Sequence, residues 1–255
     1  MALMSFLNPW LACPRPNPQA RSRLFCVPYA GGGCRVFQSW AAALPPEVEL
    51  CAVELPGRGS RLHEPPLTDF AALIDALAEA ARPYLDKPFA LFGHSLGALV
   101  SFELARRLLK ESGPRCEHLF ASGCRAPQVR REAKPTSALP DAEFIEELRG
   151  LNGTPAEVLA HPELMGLMLP ALRADFALNE KYTYAPGPPL PVPLTAYSGA
   201  DDHGSVSPEK MAAWREQTSA SFSQRTFPGG HFFIHTAQAA LLRDISEKLQ
   251  PGWGA

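Results

Sequence analysis

Short apolar runs and amphipathic stretches take turns along the first half of the chain. "RLFCVPYA" reads as a buried strand ending in Gly31-Gly32-Gly33, and "VFQSWAAAL" after it as a helix. "VELCAVEL" is a second strand, closed by "PGRG". Thr68 is predicted to cap a helix running to about Arg82, with Phe70, Leu73, Ile74 and Leu77 at helical spacing. "PFALFGH" is a third strand, "LGALVSFELARRLLK" its helix, and "HLFASG" a fourth strand. Strands that alternate with helices predict an α/β fold: a mostly parallel central sheet with right-handed crossovers and helices on both faces.

After Gly123 this rhythm breaks. From about 126 to 189 no strand is predicted, and helical segments follow one another. The first starts at Asp141, with Phe144, Ile145 and Leu148 on one face. The second opens with Thr154-Pro155-Ala156-Glu157, a capping-box pattern. The third carries Leu164, Met165, Leu167, Met168, Leu169, Leu172 and Phe176, with Pro170 as a kink. An all-helical insertion at this point of a parallel sheet is where a lid would sit, and Met165, Met168, Leu172 and Phe176 are its candidate contacts to an apolar ligand. The alternative is an excursion that only lengthens the core. "GPPLPVPLTAYSG" then returns to a strand, followed by the helix "SPEKMAAWREQ", the strand "SFSQRTF" and a last helix from about Ala237 to Leu249. Residues 1–21, with Pro14, Pro16 and Pro18, read as an extended arm before a single domain spanning 22–255.

Composition narrows the class. Of 255 residues, 46% are hydrophobic and 20% charged, which suits one globular domain. A formal net charge of −2 gives no general attraction to nucleic acid or anionic membrane. The N-terminal stretch lacks a basic region and is broken by Pro9 and Pro14, so it makes a poor secretion signal, and no apolar run is long enough to span a bilayer. A cytoplasmic monomer is expected. Cys13, Cys26, Cys34, Cys51, Cys116 and Cys124 include no CxxC pair and read as buried free thiols, not as a metal site or disulfide framework.

Candidate chemistry centres on Gly93-His94-Ser95-Leu96-Gly97, a G-x-S-x-G sequence with a strand before it and a helix after it. Such a turn exposes a serine hydroxyl at the strand's carboxyl end, beside a helix N-terminus that favours developing negative charge. Ser95 is the candidate nucleophile and needs a base oriented by an acid, in that topology acid first and histidine last. Gly199-Ala200-Asp201-Asp202 follows one late strand and Pro228-Gly229-Gly230-His231 the next, which nominates His231 as base and Asp202, with Asp201 as alternative, as acid. His94 lies inside the turn itself, His203 precedes the final strand, and His235 forms only a weak H-x3-H pair with His231. The oxyanion donors are the amide of Leu96 and that of Ala30, with Gly31 as the fallback. "PYAGGG" has neither GK[ST] nor G-x-G-x-x-G, which argues against a nucleotide loop.

Taken together, "VPYAGGG", "ELPGRGSRLHEPP", "FALFGHSLGALVSFELA", "LPDAEF", "LPALRADF" and "FPGGHFF" resemble the type II (external) thioesterases that accompany polyketide synthases and nonribosomal peptide synthetases. The resemblance runs from about Leu24 to Leu249. It implies an α/β-hydrolase fold with a helical lid, a Ser95-Asp202-His231 triad, no metal or organic cofactor, and hydrolysis of acyl groups from the phosphopantetheine thiol of acyl or peptidyl carrier proteins, clearing stalled chains. A carboxylesterase, lipase or acyltransferase on the same fold, or a silent acyl-binding protein, are the rival readings. Arg125, Arg130, Arg131 and Lys134, set against Glu132 alone in "CRAPQVRREAK", are a candidate docking patch for a carrier's acidic surface or phosphate; the alternative is a solvated basic loop.

Overall fold

The computed structural model describes residues 5–110, 116–151, 153–202 and 206–249. Its strands are β1 (Ser5–Asn8), β2 (Leu11–Cys13), β3 (Ser22–Val27), β4 (Val48–Val53), β5 (Phe89–His94), β6 (Cys116–Ser122), β7 (Leu194–Gly199) and β8 (Phe222–Phe227). The helices are α1 (Phe70–Ala81), α2 (Leu96–Leu108), α3 (Asp141–Leu151), α4 (Ala156–Leu159), α5 (Pro162–Lys181), α6 (Pro208–Ala212), α7 (Phe233–Thr236) and α8 (Gln238–Lys248). The strands form one eight-stranded sheet in the order β1-β2-β4-β3-β5-β6-β7-β8, parallel from β4 through β8.

Both faces of the sheet are covered, and the side-chain alternation shows why. Phe25, Val27, Cys51, Val53, Phe89 and Leu91 point to the face packed by α1 and α2. Leu24, Cys26, Leu50, Ala52, Ala90 and Phe92 point to the other, under Phe37, Trp40 and the Leu241, Leu242 and Ile245 stripe of α8. A strand buried on both sides reads as a continuous apolar run, which is the pattern of "VELCAV" and "FALFGH".

Three expectations are corrected here. The expected arm over 1–21 is, in its described part from residue 5, not outside the domain: β1 and β2 form an antiparallel hairpin, and β2 extends the sheet by pairing Leu11 with Val53 and Ala12 with Ala52. Leu11, Ala12 and Cys13 are fully buried. The helix expected in "VFQSWAAAL" is a pair of 3-10 turns, Cys34–Phe37 and Trp40–Ala42. Phe37, at the end of the first turn, and Trp40, at the start of the second, meet edge to face with ring centroids 4.9 Å apart. Asp69 rather than Thr68 caps α1, its carboxylate accepting the Ala72 N–H at 2.7 Å.

The stretch from 126 to 189 contains no strand among the described residues; α3, the single turn α4 and the long α5 fill it. These helices share a small core of Phe144, Leu148, Leu159, Met165 and Leu172, separate from the two sheet cores. α5 runs through Pro170 and is capped by His161, whose Nδ1 accepts the Leu164 N–H at 3.5 Å.

The sheet order creates a switch point. From β3 the chain crosses to β4 on one side, whereas β5, on the other side of β3, leads on to β6, so the loops leaving β3 and β5 diverge and open a crevice at the strands' carboxyl ends. The β5–α2 turn is tight. Ser95 has φ 55° and ψ −118°, the single positive φ at a non-glycine residue among those described. A Cβ on Gly93 would lie 1.9 Å from the Gly97 carbonyl oxygen, and one on Gly97 would lie 2.2 Å from that of Val27, so both flanking glycines are required by backbone contact.

Two predictions follow from local geometry. A side chain at φ 55° stores strain, so Ser95→Gly should be more stable than Ser95→Ala by about 1 kcal/mol, measured by urea unfolding. His118, on β6, bonds through Nε2 to Thr195 Oγ1 at 2.8 Å and stacks on Phe120, and burial pushes its pKa down to about 3. Because the folded state resists a proton that the unfolded chain accepts, stability is retained above about pH 6.5 and lost as pH falls towards 3. Between pH 7 and 5 this group should account for about 2 kcal/mol of lost stability. His118→Gln should flatten that slope whatever its effect at pH 7.

Candidate active site

One cavity of about 390 Å³ opens at the switch point. Its floor is made by Tyr29 and Ala30 from the loop after β3, Ser95 from the β5–α2 turn, Asp202 from the loop after β7, and His231 and Phe232 from the loop after β8. Four loops that leave parallel strands at the same edge of the sheet thereby bring together residues far apart in sequence.

His231 Nδ1 lies 2.6 Å from Asp202 Oδ2. A carboxylate only accepts, so the neutral imidazole donates from Nδ1 and its Nε2 carries the free lone pair. Asp202 is 8% exposed, and its neighbour Asp201 faces solvent. Of the two aspartates, Asp202 is thus the one that meets the histidine. Gly229, two residues before His231, is required by its φ of 105°, and a Cβ on Gly199 would lie 2.3 Å from the Gly230 carbonyl oxygen, so the loops after β7 and β8 touch backbone to backbone. Asp201 N–H donates to the Gly229 carbonyl at 3.0 Å and completes the junction.

The other histidines have separate surroundings. His94 is fully buried, with Nδ1 2.9 Å from Ser122 Oγ and its ring 5.1 Å from that of His231. Burial, reinforced by His231 and His235 nearby, holds its pKa well below the ordinary imidazole range, so it is a neutral packing partner of His231. His235 Nε2 lies 3.1 Å from the Tyr29 hydroxyl. His203 is outside the described residues.

Leu96 opens α2, so its N–H has no acceptor within the helix. Gly31 is different: its N–H donates to Asp175 Oδ2 at 2.7 Å and is already committed. Ala30, one residue earlier, lines the cavity.

The predicted ligand contacts divide. Leu172 and Phe176 line the cavity, whereas Met165 is buried in the small core of the insertion and Met168 packs against that core, so neither methionine reaches the cavity. Met165 shares the apolar stripe of Leu172 but sits two turns closer to the start of α5, about 10 Å along the axis. Leu148 and Leu151 of α3 and Tyr29 and Phe232 complete the apolar wall, and no local motif marks them in the sequence as cavity residues.

The basic residues divide too. Arg125, Arg130 and Arg131 line the cavity, but Lys134 lies in a separate depression beside Glu143, Glu146 and Glu147. Arg125 is 8% exposed, with Nε donating to the Val129 carbonyl at 2.9 Å. Glu132 is not their sole counter-charge, because it pairs with Lys210 at 2.8 Å, and Arg131 faces Glu180 of α5 at 3.9 Å. Neither Arg125 nor Arg130 pairs with a carboxylate among the described residues.

Comparison with known proteins bears on this arrangement. Residues 22–249 match the sequence profile of the thioesterase domain. The chain is 42% identical over 250 residues to the gramicidin S biosynthesis protein GrsT of Aneurinibacillus migulanus, covering 98% of this chain and 97% of that protein. Among solved structures it superposes on the type II thioesterase BorB from the borrelidin biosynthetic cluster with a TM-score of 0.89 and 40% identity, covering 96% of this chain and 100% of that one. RedJ, a thioesterase of the prodiginine pathway of Streptomyces coelicolor, gives a TM-score of 0.84 and 40% identity over 90% of this chain and 86% of that one. With a profile spanning the sheet from β3 to α8 and relatives matched over nearly their whole length, the chain belongs to the thioesterase family, acyl-thioester hydrolases of the α/β-hydrolase fold.

Proposed function

We propose that Ser95 is the nucleophile, His231 the general base and Asp202 the acid that orients it, and that they release acyl groups from the phosphopantetheine thiol of carrier proteins. The observation that carries this reading is the 2.6 Å His231–Asp202 pair facing the same cavity as a serine held at positive φ. Ser95 Oγ attacks the thioester carbonyl as its proton passes to His231 Nε2, and the N–H groups of Ala30 and Leu96 hold the oxyanion. The commitment of the Gly31 amide to Asp175 supports Ala30 over Gly31 as that second donor. The C–S bond breaks and the thiolate takes up the proton from His231. Water then attacks the acyl-enzyme with His231 again as base, freeing the carboxylic acid and Ser95.

The helical insertion acts in this reading as a lid, with Leu148, Leu151, Leu172 and Phe176 against the acyl chain. An apolar wall built from several side chains suits removal of varied stalled acyl groups, the editing role of type II thioesterases in polyketide and nonribosomal peptide assembly. Arg125 and Arg130, without carboxylate partners at the cavity, meet the phosphate of the carrier's arm or the acidic surface around it, in the cytoplasm where such carriers work.

Ser95→Ala should abolish release of an acyl group from a loaded carrier protein, followed by intact-protein mass, and should no longer be labelled by an active-serine phosphonate. Asp202→Asn should lower kcat by about 10³- to 10⁴-fold while Asp201→Asn stays near wild type. Preference for an oxygen ester over the matching carrier thioester would replace this reading with an esterase, and failure of the phosphonate to label the wild type would replace it with a binding protein. Charge reversal at Arg130 should slow carrier-bound substrates more than a small free thioester; equal slowing would remove the docking role.

A further inference from the structure

Arg58 and Asp175 form a buried ion pair that the reaction above does not use. Asp175, on α5, is 1% exposed, and Arg58, in the loop after β4, is 9% exposed. The guanidinium donates from Nη1 to Asp175 Oδ2 at 2.5 Å and from Nη2 to Oδ1 at 2.8 Å. Nη1 also donates to the Gly32 carbonyl at 3.1 Å and Nη2 to that of Pro56 at 3.3 Å, while the buried Nε has no partner among the described residues. Asp175 Oδ2 in turn accepts the Gly31 N–H at 2.7 Å.

A buried ion pair adds little to stability over an apolar replacement of similar volume, because desolvating two charges offsets most of their attraction. What it does supply is geometry. A bidentate guanidinium–carboxylate pair has a fixed plane and fixed distances, and here three segments are tied to it: the loop after β3, the loop after β4 and the helix of the insertion. The grip on Gly31 is double. One turn before Asp175 on α5, Leu172 packs so closely that a Cβ on Gly31 would lie 2.4 Å from Leu172 Cδ2. A side chain and a carboxylate of one helix thus hold the residue immediately after Ala30. Further along the same loop, Glu54 Oε2 accepts the Cys34 N–H at 2.7 Å and anchors its far end independently of α5.

We propose that Asp175, clamped by Arg58, is a positioning residue that sets the oxyanion loop through Gly31, so that the amide of Ala30 is correctly placed only while α5 is seated. The inference rests on the oxyanion assignment above. It makes the helical cover part of the catalytic geometry: a shift of α5 large enough to admit a bulky acyl chain must carry the loop with it or break the Gly31–Asp175 bond. An unseated cover then leaves a nucleophile without its full oxyanion site, which restrains hydrolysis until a substrate has settled.

The test compares Asp175→Asn, Asp175→Glu and Arg58→Lys with wild type on a small acyl N-acetylcysteamine thioester, which needs no carrier docking. If the clamp positions the loop, kcat falls about 10- to 100-fold with KM changed less than about twofold, since the loss is confined to charge that develops in the transition state. Affinity for a trifluoromethyl ketone analogue, which forms a tetrahedral adduct, should fall by a similar factor, while affinity for the carboxylic acid product stays. Folded variants with wild-type kcat, or with KM alone raised, overturn the proposal. Should the variants fail to fold, amide hydrogen exchange in the wild type decides: the Gly31 N–H should be among the protected amides of its loop, and rapid exchange there overturns the clamp. Ser95→Ala, assayed alongside, separates the two ideas, because residual hydrolysis in that variant defeats the nucleophile assignment and leaves the clamp without an oxyanion to serve.

Discussion

The close approach of backbone to backbone at the β5–α2 turn is the constraint on which the rest of the site depends. Gly93 sits against the Gly97 carbonyl and Gly97 against the Val27 carbonyl, so α2 is pressed onto the ends of β5 and β3 without any intervening side chain. The chain can meet both contacts only by passing through a left-handed residue, and that residue is Ser95. Pressing α2 onto β3 also sets the distance between the serine and the loop that follows β3. One steric condition therefore places Ser95, the Leu96 amide and the start of the loop after β3 together, whereas Ala30 and Gly31, further along that loop, meet α5.

Around that point the sheet acts as a frame with loops of unequal independence. The loops after β7 and β8 are joined to each other by the Asp201–Gly229 bond and by the packing of Gly199 on Gly230, so Asp202 and His231 move as a unit. The loop after β3 is held from a different direction, by Glu54 beneath and by α5 above. The site is thus divided into a half that holds the candidate acid and base, joined backbone to backbone, and a half that is bonded to the helical insertion.

How much of this the sequence disclosed depends on the range of the interaction. Ser95 is legible because the glycines two residues before and after it are a local steric requirement, and His231 because the glycines that turn its loop directly precede it. The hairpin of β1 and β2 is not legible: "SFLN" and "LAC" are too short to show a period, and the strand that ties β2, and through it β1, to the sheet is β4, some forty residues on. Arg58 and Asp175 are 117 residues apart and look, each in its own segment, like any solvated charge. On α5 periodicity gives the angle around the helix and not the distance along it, so it does not tell Leu172, which reaches the cavity as well as the insertion's core, from Met165, which reaches that core alone.

All six cysteines are buried and unpaired, which matters for a protein whose family handles activated acyl groups. A thioester exchanges readily with any thiolate it meets, and the product would be a self-acylated, poisoned protein. Cys124 borders the very cavity that holds Ser95, yet burial pushes its thiol up to about 11, against a smaller opposing pull from Arg125. Cys34, near the end of the glycine loop, is raised to about 12 by burial and by Glu54. Kept as thiols near neutral pH, these sulfurs are chemically silent neighbours of Ser95, the candidate acceptor of the acyl group.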